Sequence, residues 1–208
     1  MRLGSAPAWL AVRTALKRVI DVVMATSSLL LLSPLLLGIA VWLRVRQGPG
    51  VIFSQDRVGI HGRIFTIYKY RTMALDAEDR YPELAELSTT AGAAFKLHDD
   101  PRVTPQGHWL RRYSFDELPQ LWNVVKGDMS IVGPRPAPPR EVEDYDLWHR
   151  RRLSMKPGIT GLWQITRDYD DFDKRARLDM AYIDDWSIRL DLSIILRTVP
   201  AVLRKPGS

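Results

Sequence analysis

The longest hydrophobic stretch of the chain is VIDVVMATSSLLLLSPLLLGIAVWL, residues 19–43. It runs nearly unbroken for about 25 residues, and roughly 20 suffice to cross a bilayer core. A signal peptide fits less well, because the run exceeds an h-region and no small-x-small cleavage site follows it. Ser33-Pro34 falls near the midpoint, where a proline removes a helix hydrogen bond and kinks the axis. Asp21 lies in the first turn, and both flanks are basic: Arg13, Lys17 and Arg18 ahead, Arg44 and Arg46 behind. The positive-inside tendency puts each flank on the cytoplasmic side. A helix that bends at Ser33-Pro34 and returns to the face it entered satisfies all three features. A single-pass anchor with a tolerated proline is the other reading. At a bend, the Ser33 hydroxyl is the expected internal partner for freed backbone.

After the Gly-Pro-Gly at residues 48–50 the period of the pattern changes from helical to alternating. VIFSQDRVGIHGRIFTIYKYRTM, residues 51–73, reads as strand, glycine-containing turn, strand. In the second strand, alternation places Phe65, Ile67, Lys69 and Arg71 on one face and Ile64, Thr66, Tyr68 and Tyr70 on the other. Lys69 and Arg71 are then either solvated edge charges or a two-pronged phosphate site. Residues 74–87 are charged and helix-prone; a loop follows, then a short helix near 106–112 that carries Arg111 and Arg112. KPGITGLWQI, residues 156–165, reads as a Pro-Gly turn running into a short strand. Near the C-terminus Leu192, Ile195, Leu196, Val199, Val202 and Leu203 recur at helical spacing. Arg189, Arg197, Arg204 and Lys205 surround that stripe and Trp186 precedes it. Such a helix either packs on a core or lies in a membrane interface with its cations at the head groups.

The candidate chemistry lies in SFDELPQLWNVVKGDMSIVGPRP, residues 114–136. Ser114 to Glu117 fits a capping box, and acidic residues suit a first helical turn. Pro119 strains that reading, because it would fall inside the helix. It is better placed at the first position of a helix PQLWNVVKG ending at Gly127, which leaves Asp116 and Glu117 in the turn just before a helix N-terminus. A carboxylate there can attack phosphorus, and a second can hold Mg²⁺ together with substrate phosphates. Lysine and arginine neutralise charge on a transferring phosphoryl group. Lys69, Arg111 and Arg135 supply such cations, the last held between Pro134 and Pro136 in an extended or turn backbone.

Composition narrows these options. A chain of 208 residues suggests one domain with a real core, and a net charge of +6 favours anionic partners: phosphates, nucleic acid or an acidic membrane surface. The absence of cysteine excludes disulfides, a thiolate nucleophile and a cysteine-based metal site. The four histidines, His61, His98, His108 and His149, lie too far apart to pair as zinc ligands on one helix face.

Five blocks, KRVIDVVMA…SSLLLLSPLLL, FSQDRVG…FTIYKYRTM, RRYSFDELPQLWNVVKGDMSIVGPRP, KPGITGLWQI and DWSIRLDLSIILRTV, occur in this order from about Lys17 to the end. Together they resemble the bacterial sugar transferases, specifically the small monotopic phosphoglycosyl transferases. The resemblance implies a compact α/β (α+β) catalytic domain, residues 48–208, at the cytoplasmic face of the bacterial inner membrane. Residues 1–47 would carry a re-entrant helix broken at Ser33-Pro34, and amphipathic helices would lie in the interface. The implied reaction moves a phospho-sugar from a UDP-sugar to polyprenol (undecaprenyl) phosphate. UMP leaves, and the polyprenol-diphosphate sugar starts glycan assembly.

By motif, Asp116 falls on the family's covalent nucleophile and Glu117 on its Mg²⁺ ligand. Lys69 and Arg111 fall on its other catalytic positions. Arg135, with Pro134 and Pro136, is expected at the substrate, as are Arg71, Arg112 and Asp191, the last with a structural or site-organising part. Mg²⁺ is the expected cofactor. UDP-sugar, polyprenol phosphate and membrane lipids are the expected partners, without nucleic acid; a homo-oligomer is permitted. Tyr70 stands where an aliphatic residue often follows the lysine. The segment ahead of Lys17 is short, so the extra spanning helices of larger members are expected to be absent. Two alternatives remain: a single-displacement transferase with Asp116 as base, and a non-enzymatic, membrane-anchored basic module that binds anionic lipid or nucleic acid.

Overall fold

The computed structural model describes residues 8–80, 100–166 and 171–204. The hydrophobic run forms two helices, α1 (Ala8–Leu31) and α2 (Ser33–Gln47), which meet at a bend of 61°. Pro34 has no N–H to offer the Leu30 carbonyl, and the Ser33 hydroxyl donates to that oxygen instead, at 2.8 Å. No single described helix is long and apolar enough to cross a membrane, whereas the bent pair meets that test together.

Helix α1 is polar inside and apolar outside. Trp9, Val12, Leu16, Val19 and Val23 are exposed along one side, while Lys17, Asp21 and Ala25, one turn apart, are buried on the other. Each inward polar group holds a later segment of the chain. Asp21 accepts from the Ser130 hydroxyl at 2.8 Å and the Ile131 N–H at 3.0 Å. Lys17 donates to the Val132 carbonyl and pairs with Asp191 at 2.7 Å. Arg18 donates to the Val124 and Val125 carbonyls, which close the end of a helix. Asp21 in an apolar run is therefore a docking residue. Asp21→Ala is expected to destabilise the protein by about 2–4 kcal/mol, because it strands a buried hydroxyl and a buried N–H. A fall in Tm of the full chain in detergent measures this.

Two small sheets follow. β1 (Ile52–Val58) and β2 (Ile64–Tyr70) form an antiparallel hairpin in which Phe53 faces Lys69 and Arg57 faces Phe65. β3 (Ser130–Val132) and β4 (Gly158–Thr160) pair in parallel. Their close approach requires Gly133 and Gly158: a Cβ on either would collide with the backbone of the other's segment. The remaining described helices are α3 (Pro105–Arg112), α4 (Gln120–Lys126), α5 (Pro139–Glu143), α6 (Leu162–Thr166), α7 (Phe172–Asp184) and α8 (Ile188–Arg204). The class is thus mixed helix and small sheets.

The bent pair is built into the core. Ala25 of α1 packs with Ile67, Leu121, Val124 and Met129, and Ile39 and Leu43 of α2 pack with Tyr70 and Leu110. On α8, Ile194 is buried against Val132 and Tyr182, while Leu192, Leu196 and Val199 face outward. The helical stripe in the sequence is therefore largely the outer face of α8, and the core contact rotates toward Leu190 and Ile194.

Three local expectations change. Strand alternation stops at Tyr70, and Arg71 turns back to donate to the Gln47 and Pro49 carbonyls, tying down the exit of α2. The segment expected to be helix-prone forms turns over residues 75–80, and its part from 81 to 87 lies outside the described residues. In KPGITGLWQI the strand ends at Thr160, and α6 takes up the LWQI portion.

Candidate active site

Helix α3 is capped by Thr104, whose hydroxyl accepts from the Gly107 N–H at 3.0 Å. Gly107 lies against the Thr72 backbone so closely that a Cβ would overlap the Thr72 carbonyl. This contact brings the end of α3, with Arg111, beside the end of β2; Arg111 Nε donates to Thr72 Oγ1 at 3.0 Å. The chain then reverses through Ser114, a non-glycine residue held at φ 56°. A single 3₁₀ turn, Phe115–Glu117, carries the two carboxylates, and Pro119 leads into α4, which stops at Gly127 with φ 97°. Ser114 makes no side-chain cap, so the capping box is not formed. The left-handed backbone at Ser114 costs about 1–2 kcal/mol and sits one residue from the turn it aims.

Asn123, fully buried, fixes α4 to β2 by imitating a strand neighbour. Its side chain donates to the Thr66 carbonyl at 2.7 Å and accepts from the Tyr68 N–H at 3.2 Å. That link sets Lys69, next along β2, against the acidic turn. Lys69 Nζ lies 2.8 Å from Glu117 Oε1, and Arg135 Nη1 lies 3.4 Å from the same oxygen. Arg135 arrives from the segment after β3, where the Pro134 carbonyl accepts from the Gly158 N–H at 2.9 Å. Beneath it, buried Arg152 pairs with Asp179 at 2.8 Å and reaches the Arg135 carbonyl at 3.4 Å.

These groups open onto a cavity of about 1240 Å³. Lys69, Arg111, Asp116, Glu117, Arg135 and Pro136 all line it. The two carboxyls differ in character. Burial pushes the Asp116 carboxyl upward, and Lys69 offsets this only in part. Burial would also raise Glu117, but Lys69 and Arg135 outweigh it and bring its carboxyl down to about 2. One member of the pair is thus held firmly ionised between two cations. Its neighbour, buried and less readily ionised, faces the same cavity.

Other expected site residues are placed elsewhere. Arg71 touches the cavity, but its guanidinium is spent on Gln47 and Pro49, so it and Lys69 do not form a pair of prongs. Arg112 is exposed, with its guanidinium over the Tyr113 ring. Asp191 is buried away from the cavity, held by Lys17, the Tyr182 hydroxyl at 2.7 Å and Trp186 Nε1 at 3.2 Å. Its part is to join α1, α7 and α8. Pro134 lies behind the cavity wall, in the β3–β4 junction.

Arg57 is a cavity cation that the sequence pattern did not nominate, as are Arg102, Arg140, Arg152 and Arg175. Burial lowers the pKa of Arg57 to about 10, with Arg135 acting in the same direction, and its buried Nε finds no hydrogen-bond partner among the described residues. Alternation applied to β1 and carried across the hairpin register would have found it, because Arg57, Phe53 and Lys69 share one sheet face. Trp163 of α6 was also missed; it lines the cavity with its ring 6.0 Å from the Arg135 guanidinium and 5.1 Å from that of Arg175.

Among the described residues no group of three or more histidine, cysteine, aspartate or glutamate side chains forms a ready metal cage. Mg²⁺ does not need one: it is held by one or two carboxylates, with substrate phosphates and water completing the shell. The Asp116–Glu117 pair fits that donor set.

A cavity that joins a buried carboxylate pair to several cations suits the transfer of a phosphorylated group. The family model for bacterial sugar transferases matches residues 12–205, and the chain belongs to that family. It is 47% identical over 194 residues to the galactosyl transferase CpsE of Streptococcus agalactiae serotype III, covering 92% of this chain and 43% of that protein. It is 42% identical over 199 residues to the undecaprenyl-phosphate galactose phosphotransferase of Salmonella typhimurium, covering 93% and 41%. The exopolysaccharide production protein ExoY of Rhizobium meliloti is 41% identical over 197 residues, with 92% of this chain and 87% of ExoY covered. The chain therefore spans about two fifths of the length of the first two relatives and most of ExoY.

Proposed function

We propose that this sugar transferase moves a phospho-sugar from a UDP-sugar to polyprenol phosphate by two displacements at Asp116. In the first, an Asp116 carboxylate oxygen bonds to the β-phosphorus. The bond from that phosphorus to the bridging oxygen breaks, and UMP leaves with the electron pair. In the second, an oxygen of polyprenol phosphate bonds to the same phosphorus and the Asp116–phosphorus bond breaks, restoring the carboxylate. The observation that carries this reading is the division of labour in the pair: Asp116 buried and pushed upward, Glu117 held ionised by Lys69 and Arg135. Glu117 would hold Mg²⁺, which when bound supplies charge neutralisation on the diphosphate. Arg111 and Lys69 neutralise the phosphoryl oxygens, and Arg135 and Arg57 meet the nucleotide side of the diphosphate.

The acceptor is a lipid, which suits the apolar exterior. The outward faces of α1 and α8 and the bend at Ser33-Pro34 support a re-entrant helix shallowly seated in the cytoplasmic leaflet of the inner membrane, with α8 in the interface. The test is UMP release by the full chain in nanodiscs with Mg²⁺, over a panel of UDP-sugars, with and without undecaprenyl phosphate. Lipid-dependent turnover with a particular donor supports the reading and names the sugar. A small stoichiometric release without lipid, with phospho-sugar mass on the protein, separates two displacements from one. No release with any donor rejects it, and binding that only follows salt would point to the basic module.

A further inference from the structure

We propose that the groove between α2 and α3 seats the first isoprene units of the acceptor's hydrocarbon chain, and that Trp109 and Phe115 lead the chain from there to Asp116. This rests on the functional reading above and adds to it a subsite for the acceptor. The groove is a second cavity of about 630 Å³, separate from the catalytic one and starting at the Ser33-Pro34 break. Leu35, Gly38, Ile39 and Trp42 form its α2 side, and Pro105 and Trp109 belong to its α3 side. Among the described residues no charged side chain lines it, and Gln106 is its polar member.

Gly38 is the residue that the rest of the chain leaves unexplained. Glycine inside a helix costs about 0.5–1 kcal/mol relative to alanine. Such a glycine is usually needed for a left-handed backbone or for a close neighbour. Gly38 has neither: its φ is not positive, and a Cβ there would meet nothing within 4 Å among the described residues. What its missing side chain leaves is open space on the α2 face that also carries Leu35 and Trp42, one turn away on either side.

A run of ring contacts from the groove to the catalytic cavity identifies the occupant. The Trp42 and Trp109 rings meet edge to face at 5.6 Å, and Trp109 lies 5.4 Å from Phe115. Phe115 lines the catalytic cavity and immediately precedes Asp116. Trp109 is 43% exposed, a large apolar surface left open beside the groove. Polarity therefore runs in one direction: uncharged groove, aromatic rings, then Asp116, Arg111 and Lys69. A polyprenol phosphate has the same order, with hydrocarbon joined directly to phosphate. A glycerophospholipid does not, because its polar glycerol esters would have to lie on the Trp109–Phe115 rings.

The experiment uses the full chain in nanodiscs with the preferred UDP-sugar. Gly38→Phe is expected to raise the KM for undecaprenyl phosphate about tenfold or more, the pattern of lost acceptor binding. Val41→Phe, which places the same ring on α2 outside the groove, is expected to keep the wild-type KM. As a measurement independent of any variant's folding, a polyprenyl phosphate with a diazirine near its phosphate end is expected to label residues 34–42 and 105–115 of the wild type. Unlabelled polyprenyl phosphate should compete for that labelling, and phosphatidylglycerol should not. An unchanged KM in a folded Gly38→Phe, labelling confined to other segments, or equal competition by phosphatidylglycerol each overturns the subsite while leaving the activity standing. Absence of transfer to any polyprenol phosphate by the wild type overturns the functional reading, and the subsite with it.

Discussion

Asp116→Asn is expected to remove UMP release almost entirely, by roughly 10⁴-fold in kcat, because the amide is a poor nucleophile and no second group replaces it. The substitution is nearly isosteric, so the 3₁₀ turn and the Lys69–Glu117 pair should survive. Burial disfavours the ionised form of Asp116, which favours a neutral amide in its place. Unchanged thermal stability with lost activity is therefore the predicted combination. Mass measurement after incubation with the UDP-sugar alone should show a phospho-sugar adduct on the wild type and none on the variant. Full activity in Asp116→Asn would exclude Asp116 both as nucleophile and as base.

Glu117→Gln should behave differently. Glu117 Oε1 is shared by Lys69 and Arg135, so its loss leaves two cations facing each other across a buried site. The expected effects are a fall in kcat of about 10²–10³-fold and a higher Mg²⁺ concentration for half-maximal rate. Stability should also fall, because the half-buried Lys69 ammonium loses its carboxylate partner. The discriminating measurement is a Mg²⁺ titration of initial rate. If the variant keeps the wild-type Mg²⁺ dependence, Glu117 is not the metal ligand, and its place between Lys69 and Arg135 is purely structural.

Several elements were legible from local pattern because local physics decides them. Pro34 has no N–H in any environment, so the helix breaks there, and Ser33 is the adjacent donor that reaches the freed carbonyl. Pro119 and Gly127 bracket α4 through their backbone preferences, which correctly disfavoured a capping box at Ser114. Alternation placed Lys69, though it ran one step too far. Arg71 lies beyond the last paired residue, where the unmet carbonyls of Gln47 and Pro49 capture its guanidinium. Arg57 was missed because one strand was read alone, without the hairpin register that puts it on the face of Lys69.

Residues 69, 116, 117 and 135 could be nominated from spacing, turn chemistry and resemblance. Their meeting could not. It depends on Asn123 posing as a strand neighbour for β2, on Gly133 and Gly158 letting two backbones touch, and on Asp21 and Lys17 holding β3 from an otherwise apolar helix. Each is a contact between residues distant in the chain, and such contacts leave no period in the sequence. The direction of a hydrophobic stripe was equally undecided. Leu192, Leu196 and Val199 repeat at helical spacing whether they meet protein or lipid, because both are apolar neighbours. Only the position of Ile194 against Val132 and Tyr182 turned that stripe outward.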